Sequence, residues 1–189
     1  RGGRTAAAGP LTLESDIPGI EKSRVLILGG SGFVGQALRR HLLAKAASVH
    51  IYDMNPPPAA QACGHTVGDI TNAVAVEAAM RAFRPTCVVH LASWGMSGPS
   101  MLDLKCEAIN VEGTRIALAA ALRCGVASFV YVSTYNVVFH GQPIVAGDET
   151  MDYPSPRLHT DHYSPSKAAA EQLVLEANGG GSPHGRALV

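Results

Sequence analysis

The chain has 189 residues, 47% of them hydrophobic and 16% charged, which is enough apolar material for one sizeable core in the usual one-domain range. Fifteen basic side chains balance fifteen acidic ones without clustering, so no field draws nucleic acid or an anionic membrane, and polyanion binding is excluded as a leading function. No apolar run reaches the roughly 18 to 20 residues of a membrane span, no compact secretory signal opens the chain, and Cys63, Cys87, Cys106 and Cys124 lack Cys-x-x-Cys spacing, so an intracellular, reducing setting is expected, cytoplasmic or membrane-associated through a region outside this chain.

Residues 1–22, rich in glycine, proline and alanine, carry no sustained apolar period and read as a flexible leader, with folding expected from Ser23 onward. Arg24 to Leu28 is a short, almost wholly apolar run ending in glycines, the pattern of a parallel strand buried on both faces. A helix is predicted from about Phe33 to Lys45, and further strands at Ser48–Tyr52, Cys87–Leu91 and Ser128–Val132. Helical patterns at Ala73–Phe83, Met101–Arg123 and Ala168–Glu176 alternate with them. Such alternation, with connections long enough for right-handed crossovers, predicts an α/β, doubly wound Rossmann-type sheet over residues 23–189, with helices on both faces.

The turn after the first strand reads Gly29-Gly-Ser-Gly32-Phe-Val-Gly35. Glycines at this spacing permit a tight turn and let backbone N–H groups approach a pyrophosphate at the positive end of the following helix. Tyr52-Asp53 then ends the second strand about 18 residues beyond Gly35, where a carboxylate can accept hydrogen bonds from ribose hydroxyls but repels a 2′-phosphate; NAD(H) is therefore expected over NADP(H). Gly68-Asp69-Ile70 follows a strand-like segment and either sets Asp69 near the adenine or forms an ordinary turn.

Tyr163-Ser-Pro-Ser-Lys167 opens the last helical run, so the phenol and the ammonium share a face. A phenol is a poor proton carrier at neutral pH, and the ammonium is expected to bring it closer to working range. Ser133-Thr134, at the C-terminal end of the Ser128–Val132 strand, supplies hydroxyls for a substrate oxygen, Thr134 being preferred to Ser133 because it stands just past the strand. Together these groups suit hydride transfer with a nicotinamide carrier. His159, His162 and Asp161 do not complete a metal-ligand pattern, so no metal is expected, and Trp94 either borders the site or packs at a strand end.

The combination of Gly29 to Gly35, Asp53, Asp69, His90-Leu-Ala-Ser93, Asn110-Val-Glu-Gly-Thr114, Ser133-Thr134 and Tyr163-x-x-x-Lys167 resembles the extended short-chain dehydrogenases/reductases, and within them the 3β-hydroxysteroid dehydrogenase-like branch. Tyr131-Val-Ser-Thr-Tyr-Asn-Val-Val-Phe139 and Asp161 to Lys167 are similar to family 42E, and the likeness runs from about Arg24 to Asn178. The resemblance implies an NAD-dependent oxidoreductase acting on a hydroxyl or ketone of a steroid-like lipid, with Tyr163 as proton acceptor, Lys167 as its helper and Thr134 or Ser133 polarising the substrate. It also implies cofactor contacts by Gly29, Gly32, Phe33, Val34, Gly35, Asp53, Asp69, Ile70, Leu91, Ala92, Ser93, Tyr163 and Lys167, the lysine toward the nicotinamide ribose, with Asn110 bracing the site. Proteins of this family continue well beyond the length read here, so the region that shapes the substrate pocket is expected outside this chain. Two other functions stay open: a non-catalytic NAD-binding module, and a nucleotide-sugar epimerase or dehydratase sharing the Tyr and Lys chemistry. Assembly with a second copy as a homodimer is left open as well.

Overall fold

In the computed structural model, which describes residues 19–45, 48–57, 63–148, 150–179 and 186–188, the run Arg24–Leu28 is the central strand β1. Its alternate side chains enter two cores. Leu26 and Leu28 face one with Val88, Phe129 and Tyr131, while Val25 and Ile27 face the other with Val49 and Val89. That double burial is the reason the strand is apolar on both faces rather than alternating with polar residues.

Helix α1, Phe33–Ala44, leads into β2, Ser48–Asp53, and β3, Gly64–Val67. Helix α2, Ala73–Phe83, opens on an Asn72 cap whose side chain accepts from the Ala75 N–H, and precedes β4, Cys87–His90. Helix α3, Gly113–Arg123, strand β5, Ser128–Tyr131, helix α4, Tyr163–Gly179, and strand β6, Arg186–Leu188, complete the order. All pairings are parallel, in the order β3-β2-β1-β4-β5-β6. Residues of α2, α3 and α4 fill the core on one face, and Leu42 and Leu38 of α1 fill the core on the other. This is the doubly wound α/β fold expected from the alternation.

Two expectations are corrected. Of the expected leader, residues 1–18 lie outside those described, but Ile20–Lys22 forms a 3-10 turn and Ile20 packs against the α1-side core, so the fold begins before Ser23. The single helix expected over Met101–Arg123 is instead a 3-10 turn at Gly98–Leu102, a π-helical segment at Glu107–Glu112, and then α3. From the first turn of α3 the Thr114 hydroxyl donates back to the Asn110 carbonyl of the π segment at 2.6 Å. Gly113 lets the widened turn come close, since a Cβ there would lie 2.9 Å from Ile70 Cγ2.

Candidate functional site

The order of strands reverses at β1 and β4, and the loops leaving their C-terminal ends part to form a crevice. A cleft of about 520 Å³ opens there, lined by the turn from Gly29 to Gln36, by Asp53, Gly68 and Ile70, and by Leu91, Ala92, Ser93 and Trp94. Gly29 has φ 81°, and a Cβ on it would stand 2.5 Å from the Ala92 amide nitrogen, so the first glycine brings the β1 turn backbone-to-backbone against the β4 loop. A Cβ on Gly35 would meet the Gly30 backbone at 2.6 to 2.7 Å. Helix α1 begins at Gly32 with no capping side chain, and Phe33 beside it is 91% exposed. Its first-turn N–H groups are thus left to the cleft, a ready site for an anionic group.

Asp53 lies at the end of β2. Its Oδ2 accepts from the Ser31 N–H and its Oδ1 from the Asn55 N–H, each at 2.9 Å, and the Ser31 hydroxyl donates to the Asn55 carbonyl at 2.7 Å. The carboxylate therefore braces the glycine turn as well as lining the cleft. Asp69 does not line it: its Oδ1 accepts from the backbone and the hydroxyl of Thr71, and its carbonyl accepts from the Tyr52 hydroxyl, forming the turn that leads to α2.

At the C-terminal end of β5 a second group assembles. Asp161 accepts from the Ser164 N–H at 2.6 Å and its hydroxyl at 3.0 Å, which starts α4 and presents Tyr163 in its first turn. Thr134 caps the 3-10 turn Tyr135–Val137 through Asn136, and its side chain interacts with the Tyr163 phenol. Burial pushes the phenol above its ordinary pKa, and Thr134 pulls the other way. The Ser133 hydroxyl is buried without a hydrogen-bond partner among the described residues.

Lys167 is 3% exposed and donates to the Val132 carbonyl at 2.8 Å, with Nζ 4.1 Å from the centre of the Tyr131 ring. Burial lowers its pKa to about 8, against the opposing pull of Glu171. The expected lowering of the Tyr163 pKa by this ammonium is corrected: the phenol is raised, because its burial dominates and the ammonium is held by the end of β5.

Behind these groups runs a buried polar chain. His90 Nε2 meets the Thr114 hydroxyl at 2.9 Å; since that hydroxyl donates onward to the Asn110 carbonyl, the imidazole donates from Nε2. Asn110 accepts from the Trp94 N–H at 2.7 Å and donates to the Trp94 carbonyl and the Ser166 hydroxyl, each at 2.9 Å; Ser166 donates to the Tyr163 carbonyl at 2.7 Å. Tyr163, Lys167, Ser133 and Thr134 do not line the cleft, but this chain ties α4, which carries Tyr163 and Lys167, to Trp94, which does. Sequence reading assigned no role to Ser31, Thr114, Ser166 or Tyr131. For Ser31 the signal is its place inside the glycine turn; the others act through partners far along the chain. Asp161 is engaged by α4, and among the described residues no group of three or more His, Cys, Asp or Glu could hold a metal ion. Nor, among them, is any helix long and apolar enough to cross a membrane.

Strand order, glycine turn at the reversal point, acidic end of β2 and a Tyr-x-x-x-Lys helix alongside define a Rossmann-type nucleotide-binding domain of the short-chain dehydrogenase/reductase class. Residues 26–188 match the 3-beta hydroxysteroid dehydrogenase/isomerase family, and the chain belongs to it. It is 43% identical over 168 residues to short-chain dehydrogenase/reductase family 42E member 1 of Mus musculus, covering 87% of this chain and 43% of that protein. It is 37% identical over 180 residues to a 3-beta-hydroxysteroid dehydrogenase of Mycolicibacterium neoaurum, covering 90% and 46%. Among solved structures, the UDP-glucose 4-epimerase of Thermus thermophilus in complex with NAD is 29% identical with a TM-score of 0.71, covering 83% of this chain and 51% of that one. The chain thus spans less than half the length of the curated relatives it matches.

Proposed function

We propose that this chain is the cofactor-binding half of an NAD(H)-dependent oxidoreductase that moves a hydride to or from a hydroxyl or ketone of a steroid-like substrate. The observation that carries this reading is the gathering of Tyr163, Thr134 and Lys167 at the end of β5, tied through Asn110 to the wall of a glycine-lined cleft. The substrate class is supported by the name of the mycobacterial relative. The cleft suits a dinucleotide because the uncapped start of α1 and the absence of Cβ atoms at Gly29, Gly32 and Gly35 leave backbone N–H groups accessible to a pyrophosphate.

In this reading Gly32, Phe33, Val34 and Gly35 hold the phosphates, Asp53 the ribose hydroxyls at the adenine end, and Lys167 donates to the ribose at the nicotinamide end. Ile70, with Asp69 in the adjoining turn, borders the adenine, and Leu91, Ala92 and Ser93 border the nicotinamide end. When bound, the nicotinamide supplies or takes up the hydride. Thr134 orients the substrate oxygen, with Ser133 beside it, and the Tyr163 hydroxyl exchanges a proton with that oxygen. Burial keeps the phenol protonated at neutral pH, which suits donation to a carbonyl; removal of a proton from an alcohol calls for positive charge nearby, and Lys167 is the cation on the same helix.

Calorimetric titration with NADH and NADPH tests the cofactor assignment. NADH is expected to bind at least about tenfold more tightly; equal affinities, or no binding by a folded sample, would sink it. A second reading, a nucleotide-sugar epimerase, is favoured by the likeness to UDP-glucose 4-epimerase. In the full-length protein, formation of NADH from NAD+ on addition of a 3β-hydroxysteroid supports the oxidoreductase, whereas interconversion of UDP-sugars without net NADH supports the epimerase.

A further inference from the structure

Lys167 is almost completely buried, yet among the described residues it has no ion-pair partner. Burying an ammonium is costly unless something replaces its water. The groups facing it are His90 from β4, Tyr131 from β5 and Glu171 from its own helix, with Tyr163 four residues before it on that helix. His90 is kept neutral by burial and by the lysine itself, so it adds no compensating charge. Glu171 is engaged elsewhere, accepting from the Tyr153 hydroxyl at 2.6 Å. What remains in contact is the Val132 carbonyl at 2.8 Å and the face of the Tyr131 ring at 4.1 Å.

We propose that Tyr131 is a positioning residue, its ring face acting with the Val132 carbonyl to hold the Lys167 ammonium at the C-terminal end of β5. The ring is itself 3% exposed and fixed by neighbours, with His90 tilted against it at 5.6 Å between ring centres. Its hydroxyl stands near Thr114 without a hydrogen bond of normal geometry. The ring, therefore, and not the hydroxyl, does the holding. A desolvated cation over an aromatic face gains most where water cannot compete, and Lys167 and Tyr131 are each 3% exposed. The direct contacts that stabilise the charged lysine are a carbonyl and a ring face, and Glu171, bound to Tyr153, adds only a pull through space. This role for Tyr131 rests on the reading in which Lys167 serves the cofactor and Tyr163, but its test does not pass through catalysis.

The test is titration of Lys167 by NMR in the full-length, cofactor-free protein carrying lysine labelled at Cε and Nζ, with the signal assigned by its loss in Lys167→Met. Tyr131→Phe is expected to titrate like the parent protein, since the ring is kept. Tyr131→Leu is expected to lower the Lys167 pKa by about one unit. Phenylalanines of increasing ring fluorination at position 131 keep the shape while weakening the negative face, so they remain informative if the leucine variant fails to fold; the lysine pKa should fall stepwise along that series. A titration unchanged across the fluorinated series overturns the proposal. Separately, NADH affinity unchanged in Lys167→Met would remove the lysine from cofactor binding while leaving the ring's hold on it standing.

Discussion

Around β1 and β2 the site is made of backbone, whereas behind the ends of β4 and β5 it is made of buried side chains. On the first side the working parts are glycine positions, helix N–H groups and one carboxylate held by two amides. On the second, His90, Thr114, Asn110, Ser166 and Lys167 are each at most 3% exposed and most are linked by hydrogen bonds. The difference teaches where each side is vulnerable. A backbone cradle fails when a Cβ is added, and a buried polar chain fails when one member loses its partner.

The largest expected effect separates the two sides. In the full-length protein, Tyr163→Phe should lower kcat by about 10²- to 10⁴-fold and leave NADH affinity within about twofold, because no atom on the β1 side changes. Steady-state kinetics beside calorimetry measures both. A parallel collapse of NADH binding would mean that the sides are one unit.

Next comes the cradle itself. Gly29→Ala puts a methyl against the Ala92 backbone and strains a φ of 81°, so a loss of roughly 2 to 4 kcal/mol in stability is expected, with NADH binding lost alongside it. At Gly32 the nearest atom to an added Cβ is the Gly29 carbonyl oxygen at 3.5 Å, an ordinary contact, and φ is −70°. Gly32→Ala should therefore weaken NADH by about tenfold while the urea midpoint stays put. Equal destabilisation by the two variants would contradict the steric account.

A smaller shift is expected from Asp53→Asn, which keeps an acceptor for the glycine turn but removes the charge. NADH should weaken several-fold and NADPH should gain, so that selectivity narrows by about tenfold. Parallel calorimetry with both nucleotides decides this, and unchanged selectivity would mean that Asp53 serves only Ser31 and Asn55.

The same contrast governs what was legible in the sequence. Backbone sites leave a trace in spacing: Gly29, Gly32, Gly35 and Asp53 stand where the expected turn and strand end require them, and β1 and α2 have the expected bounds. The π segment does not show in hydrophobic periodicity, because its widened turn is supported by Thr114 on the Asn110 carbonyl and by Gly113 against Ile70. The spacing of Tyr163 and Lys167 places them on one face, but where the ammonium points depends on Tyr131 and Val132, at the C-terminal end of β5 some 35 residues earlier in the chain. Asp69 illustrates the reverse case, a carboxylate that also forms a local turn, one of its oxygens accepting from Thr71 between the cleft-lining Gly68 and Ile70 and α2.

A change of similar size, read in stability alone, asks whether the side-chain half is as dry as its burial implies. His90 has its pKa lowered to about 3, first by burial and then by the Lys167 charge, against an ordinary value near 6.5. Below about pH 6.5 the unfolded chain takes up a proton that the folded imidazole refuses, so this group's contribution is complete above that pH and declines as pH falls toward 3. His90→Gln removes the titration, and the amide can still donate toward Thr114. Between pH 7 and pH 5 the parent protein should therefore lose on the order of 1 to 2 kcal/mol more stability than the variant, read from urea midpoints at both pH values. Carboxylates elsewhere titrate in both proteins and cancel in the difference. If the two curves stay parallel, the folded imidazole accepts its proton freely; water then reaches the chain behind β4, and its hydrogen bonds are no better protected than those of the open glycine turn.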